Sequence, residues 1–154
     1  MVEAHRRRLA QVISNLLNNA IKFTKEGTVT VITSIIKKRK EANRDSGDGK
    51  VKEEEKVVIA VKDSGTGIDP ELMPRLFTKF AAKSYQGTGL GLYISKSIIE
   101  AHGGKMWAEN NNNKGSETKH NGTTFYVTLP VADMIEERIG EKEEARLVNE
   151  QLHG

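Results

Sequence analysis

Apolar positions recur along this chain at two spacings, and the changes between them mark out its elements. Over residues 3–24, Leu9, Val12, Ile13, Leu16, Leu17 and Ala20 recur every three to four residues, which predicts an amphipathic helix with one buried stripe. A glycine turn in "TKEGT" ends it. "TVTVITSII" (28–36) is rich in β-branched residues and predicts a strand. "VVIAVKD" (57–63) predicts a second strand, and its nearly unbroken apolar run makes it a central one. Between the two, residues 37–56 are almost wholly charged or polar. Such a composition cannot bury enough surface to order itself, so this insert reads as a solvated hairpin loop.

Further along, "DPELMPRLFTKF" predicts a short helix with Asp69 as its cap and Pro70 in its first turn. "AAKSYQGTG" is a loop running into the helix "LGLYISKSIIEAH", which stops at Gly103 and Gly104. "KMWAEN" (105–110) and "TTFYVTLP" (123–130) predict a third and a fourth strand, with an asparagine-rich loop between them. Residues 132–154 form an acidic, helix-prone tail. No internal repeat is present. The order of helix, strands, helices and strands predicts an α+β fold with helices on one face of a mixed sheet.

Composition narrows the function classes. A chain of 154 residues is about one domain. Its formal charge of +3 is small, and its basic residues are not interleaved with aromatics, so nucleic-acid binding gains no support. The absence of cysteine removes disulfides, thiolate nucleophiles and cysteine–zinc sites. His5, His102, His120 and His153 are scattered without metal-ligand spacing. No apolar run approaches the roughly 18 residues of a membrane span, and no signal peptide is visible. The expectation is a soluble, cytoplasmic, monomeric fragment. A helix already under way at the first residues suggests a longer parent, itself free or membrane-anchored.

Three short stretches carry chemistry. In "NLLNNAIKF", Asn15, Asn19 and Lys22 fall at i, i+4 and i+7 on one helix face, read as opposite the apolar stripe. That face is either a solvated surface or a ligand face, since a carboxamide oxygen is a neutral hard ligand suited to Mg²⁺ and a lysine can meet phosphate oxygens. In "GTGLGL", Gly87, Gly89 and Gly91, with Thr88 and Leu90 between them, open a helix whose first N–H groups are unpaired. The stretch is either a flexible loop or a phosphate cradle. No strand directly precedes it, so it is not the dinucleotide fingerprint. In "DSGTGID", Asp63 ends a strand beside a glycine-rich loop. It is either an Asx turn residue or the acceptor for an exocyclic amine such as adenine's. Taken together, the three stretches favour adenine recognition.

In order, "NLLNNAIKFT", "DSGTGI", "LFTKF" and "GTGLGLYISKSIIEAHGGKMWAEN" resemble the N, G1, F and G2 boxes of sensor histidine kinases, and "GTTFYVTLP" resembles the strand that closes their catalytic domain. The resemblance covers residues 3–131. It implies the two-layer Bergerat sandwich, with a mobile ATP lid and hinge over residues 81–91, and the cofactors ATP and Mg²⁺. It also implies roles: Asn19 on the Mg²⁺ with Asn15 beside it, Lys22 on phosphate, and Phe23 against the nucleotide. Asp63 would take the adenine amine, helped by Gly65, Gly67 and Thr123, while Gly87, Thr88, Gly89, Leu90 and Gly91 would form hinge and cradle.

Hydrolytic members of that superfamily carry a glutamate one helical turn before the metal asparagine, as the base that activates water. Here the position is Asn15, which cannot take a proton at neutral pH. The implied activity is therefore γ-phosphoryl donation to a histidine on a dimerisation and phosphoacceptor domain elsewhere, feeding a response regulator receiver domain in a two-component system. No histidine of this chain stands in an acceptor-like context. The alternatives are a stand-alone ATPase, disfavoured by Asn15, and a non-catalytic nucleotide-binding module, disfavoured by intact Asn19, Asp63 and glycine runs.

Overall fold

The structure, a computed structural model, describes residues 2–40, 52–81, 88–111 and 122–131. Helix α1 (Val2–Phe23) buries the predicted stripe, with Val12, Leu16 and Ala20 removed from solvent. Four strands follow: β1 (Val29–Lys40), β2 (Lys52–Asp63), β3 (Lys105–Asn110) and β4 (Thr123–Pro130), with helix α2 (Gly91–Ala101) between β2 and β3. They form one sheet in the order β1-β2-β4-β3. Both helices pack on one face of it, burying Val61, Met106, Phe125, Val127 and Leu129 against Val12, Leu16 and Ile99. Alternate residues of β2 and β4 point into this layer, as half-buried strands require.

The α+β architecture agrees with the sequence reading, but the sheet is antiparallel at every pairing rather than mixed. Strands β2 and β3 do run in the same direction. However, β4 lies between them and pairs with both, so the two parallel strands never become neighbours.

The charged insert is also more ordered at its ends than composition implied. Strand β1 runs on to Lys40 and β2 begins at Lys52, with Lys38 opposite Glu54 and Lys37 opposite Glu55. Lys37 forms an ion pair with Glu55, and Lys56 with Glu54 at 3.1 Å. Opposite charges facing each other across a hairpin favour the ladder, and burial is not needed for that. The tip of the insert (41–51), most of the lid segment (82–87), the asparagine-rich loop (112–121) and the acidic tail (132–154) lie outside the described residues.

A third difference falls at "DPELMPRLFTKF". Asp69 makes a turn rather than a helix cap: its Oδ1 accepts from the Glu71 N–H at 2.9 Å, and its carbonyl accepts from Leu72 and Met73. The element that follows is only a 3₁₀ turn, Met73–Arg75, with Leu72 at its N-cap and no side-chain cap. Pro74 has no N–H to give, and its ring collides with the carbonyl four residues back, so an α-helix cannot pass through it. Helix α2 ends as expected. Gly103, at φ 70°, donates to the Glu100 carbonyl and Gly104 to that of Ile99, which is the paired glycine stop. A side chain on Gly104 would run into the Thr128 carbonyl, so this glycine lets β3 start flush against β4.

Leu16 is fully enclosed between α1 and the sheet. Leu16→Ala should cost about 2–5 kcal/mol, the loss of buried surface plus the cavity left behind. Urea unfolding would report it as a lower midpoint at unchanged slope.

Candidate functional site

Asp63 is the last residue of β2 and is only 4% exposed. A carboxylate so deeply placed needs partners, and the backbone supplies them. Its Oδ1 accepts from the N–H of Gly65 at 2.9 Å and of Thr123 at 3.1 Å. Both neighbours come close because glycines allow it. A side chain on Gly65 would meet the Phe23 carbonyl at the end of α1, and one on Gly122 (φ 89°) would meet the Asp63 carbonyl. With Oδ1 engaged twice, Oδ2 is left as the acceptor for a ligand.

Asp63 borders a cavity of about 420 Å³. Asn15, Asn19, Lys22 and Phe23 of α1 line it, together with Gly67, Thr88, Gly89, Gly91 and Thr123. The structure therefore gathers most of the residues singled out in the sequence around one space. Gly65 stands behind Asp63 rather than in the wall. Leu90 is the residue preceding α2, and Gly87 lies outside the described residues.

Asn15 and Asn19 are half-buried and flank the apolar stripe of α1 rather than lying opposite it. The reason is helical arithmetic. Val12 and Asn19 are seven residues apart, nearly two full turns, so they share almost one bearing. Asn15 Nδ2 donates to the Ser95 hydroxyl of α2 at 3.0 Å, and Ser95 is 2% exposed. A side chain on Gly91 would come within 2.6 Å of Asn15 Oδ1. The glycine thus seats the first turn of α2 directly on the asparagine. Lys22 Nζ lies 5.6 Å from the centroid of the Phe23 ring.

The α2 N-terminus carries no side-chain cap, and Gly91 and Leu92 of its first turn line the cavity. Uncapped N–H groups at the positive end of a helix suit an anion. Gly89 has a further role. It sits at φ 67°, its carbonyl accepts from the Phe80 N–H at 3.1 Å, and a side chain there would press on the Phe80 backbone. Phe80 itself has φ 61°. This close clasp joins Phe80 and Ala81 to Gly89, on either side of the segment between Ala81 and Thr88.

Sequence reading missed the apolar wall of the cavity: Ile68, Leu72, Leu76, Leu92 and Phe125, with Ala81 and Asp69 beside them. Phe125 was legible as one of the alternating inward residues of β4. Leu92 lies in the first turn of α2, while Ile68, Leu72 and Leu76 sit in irregular backbone, where no periodicity marks them. It also missed Gly122 and the asparagines at the end of β3, whose value lies in contacts distant in sequence. Chemically, the cavity wall carries two unlike sets of residues. One offers a carboxylate between apolar walls, suited to a flat base bearing an amine. The other offers carboxamides, an ammonium and a helix N-terminus, suited to phosphate. Among the described residues no group of three His, Cys, Asp or Glu side chains could hold a metal alone.

The family described as histidine kinase-, DNA gyrase B-, and HSP90-like ATPase matches residues 4–133. The phytochrome-like protein Cph1 of Synechocystis sp. is 35% identical over 136 residues, covering 86% of this chain and 15% of that protein. The sensor protein FixL of Bradyrhizobium diazoefficiens is 36% identical over 135 residues, covering 86% of this chain and 22% of that protein. The chain thus spans about a fifth or less of the length of these curated relatives. Among solved structures, the catalytic domain of the histidine kinase ThkA is 35% identical with a TM-score of 0.53, covering 81% of this chain and 67% of that one. Full-length ShkA in complex with AMPPNP is 30% identical with a TM-score of 0.55, covering 80% of this chain and 21% of that one.

Two glycines of the site should respond differently to a methyl group. Gly122→Ala meets backbone and a left-handed φ, so it should cost at least about 1 kcal/mol and lower the melting temperature. Gly91→Ala meets the Asn15 carboxamide, which can turn aside only by giving up its bond to Ser95, so it should cost less, about the 0.5–1.5 kcal/mol of one hydrogen bond. Thermal unfolding of the two variants checks the contrast.

Proposed function

This chain belongs to the histidine kinase-, DNA gyrase B-, and HSP90-like ATPase family, and from that membership we propose that residues 3–131 are an ATP-binding catalytic domain. It donates the γ-phosphoryl group of Mg-ATP to a histidine on a dimerisation domain outside these residues. The observation that carries this reading is the pairing, in the wall of a single cavity, of a buried, backbone-held carboxylate with an amide, lysine and helix N-terminus set. In a two-component pathway the phosphoryl group would pass on to a receiver domain, and the site would face the cytoplasm. Among the described residues no helix is long and apolar enough to cross a membrane.

The roles follow from the chemistry of each group. Asp63 Oδ2 accepts from the adenine amine while Gly65 and Gly67 let the loop lie close under the ring. Phe23 and the apolar wall cover the base and ribose. Lys22 and the first N–H groups of α2, at Gly91 and Leu92, receive phosphate oxygens. Asn19 suits Mg²⁺, because a neutral carboxamide oxygen joins phosphates and water in an octahedral shell without adding charge. The bound ion would neutralise charge on the phosphates. Catalysis of this kind is positioning and electrostatics.

Asn15 is what favours a kinase over a hydrolase. An amide takes up no proton near neutral pH, and its Nδ2 is already committed to Ser95. Water beside Asn15 finds no base in that side chain, so the γ-phosphoryl group waits for a nucleophile from outside.

The pure chain should bind Mg-ADP and Mg-ATP in calorimetry and bind GTP poorly, since guanine presents a carbonyl where adenine presents its amine. Asp63→Asn should weaken ADP by about 1–3 kcal/mol. ATP hydrolysis should stay near background. Equal affinity for ATP and GTP, or steady hydrolysis that Asn15→Ala abolishes, would overturn the reading.

A further inference from the structure

The loop 64–67 contains two glycines, one of them Gly67 at φ 76°, and glycine-rich backbone has slack. Its near end is well tied. The Ser64 N–H donates to the Thr28 carbonyl at 3.1 Å, and the Thr28 N–H donates to the Ser64 hydroxyl at 2.8 Å. Asn111 Nδ2 donates to the Asp63 carbonyl at 2.9 Å, and Asn111 Oδ1 accepts from the Thr124 hydroxyl at 2.6 Å. At the far end one side chain clasps both peptide groups of Ile68. Asn110 Oδ1 accepts from the Ile68 N–H at 2.7 Å, and Asn110 Nδ2 donates to the Ile68 carbonyl, also at 2.7 Å.

A carboxamide carries a donor and an acceptor side by side, so Asn110 pairs with the peptide groups of Ile68 much as a neighbouring strand would. Only one orientation of the amide satisfies both bonds, which settles its O and N assignment. Aspartate at this place could accept from the N–H but would offer no donor to the carbonyl. Ile68 and Asp63 both line the cavity. Asn110 stands opposite Thr123 in the β3–β4 ladder, and the Thr123 N–H holds Asp63 Oδ1, so Asn110 ties Ile68 to the same backbone that holds the carboxylate.

We propose that Asn110 is a positioning residue that fixes how closely Ile68 closes on a purine held at Asp63, making the site selective for an unsubstituted 6-amino group. This rests on the nucleotide reading above. The native chain should prefer Mg-ADP to Mg-N6-methyl-ADP by about tenfold or more, the usual discrimination of a fitted pocket against one added methyl group. In Asn110→Ala, ADP should bind up to about tenfold more weakly, as expected for lost hydrogen bonds, and the preference over the methylated nucleotide should shrink towards one. A purely structural staple would weaken both nucleotides equally and leave their ratio alone.

Calorimetry of the native and Asn110→Ala chains with both nucleotides decides between these. An unchanged ratio overturns the role of Asn110 while the nucleotide reading stands. Failure of the native chain to bind ADP at all overturns both. Should Asn110→Ala not fold, amide exchange in the native chain without nucleotide decides instead. A protected Ile68 N–H supports the clamp, and exchange at the open-chain rate overturns it.

Discussion

The structure of the site depends on how one carboxylate is buried. Asp63 ends the central strand β2 at 4% exposure, where an unpartnered charge would be costly. Two backbone N–H groups satisfy Oδ1, and they come from different places: one two residues downstream, the other sixty residues away on β4. Bringing β4 that close requires Gly122 against the Asp63 carbonyl, and bringing the loop close requires Gly65 against the end of α1. A single buried acid thus fixes where β2, β4, α1 and the glycine loop meet. The cavity forms where those elements leave Oδ2 unused.

The other set of residues in the cavity wall is held by helices instead of strands. Asn15 on α1 and Ser95 on α2 share a hydrogen bond, and Gly91 lets the two helices touch beside it. This contact aims the uncapped first turn of α2 at the same space as Asn19 and Lys22. The carboxylate is thus fixed by backbone bonds of the sheet and the α2 N-terminus by side chains between helices. Helix α1 is common to both, since its last residue meets Gly65 and its Asn15 meets Ser95.

What was legible in the sequence was whatever depends on local periodicity or local backbone chemistry. The α1 stripe, the bounds of β3 and β4, and the glycine stop after α2 all derive from residues within a few positions of one another. Asp63 alone stood open between an Asx turn and a ligand acceptor, and the structure shows the Asx turn, with the Gly65 N–H on Oδ1, as well as a place in the cavity wall. Strand order was not legible, since β4 inserts between β2 and β3 through contacts no local pattern encodes. The charged hairpin was misread because composition reports burial, whereas Lys37–Glu55 pairing stabilises a ladder without burial. The 3₁₀ turn was misread because Asp69 and Pro70 signal a helix start, and Pro74, four residues on, cancels it.

The glycines show why motif and geometry have to be read together. As a sequence pattern, Gly87, Gly89 and Gly91 are equivalent, each able to let a phosphate approach. In the structure Gly89 and Gly91 are each required by the protein itself. Gly89 admits the Phe80 backbone in a left-handed turn, and Gly91 admits the Asn15 side chain. Space cleared for the protein is not cleared for a ligand. Anion affinity here must therefore come mainly from the N–H groups of α2 and from Lys22, with the glycines acting by letting α2 start where it does. Under the nucleotide reading, that placement explains how the domain can grip a triphosphate and still lack the means to cleave it. Among the described residues, the groups assigned to the phosphates are donors or neutral amides, and the carboxylates lining the cavity, Asp63 and Asp69, flank the loop assigned to the base.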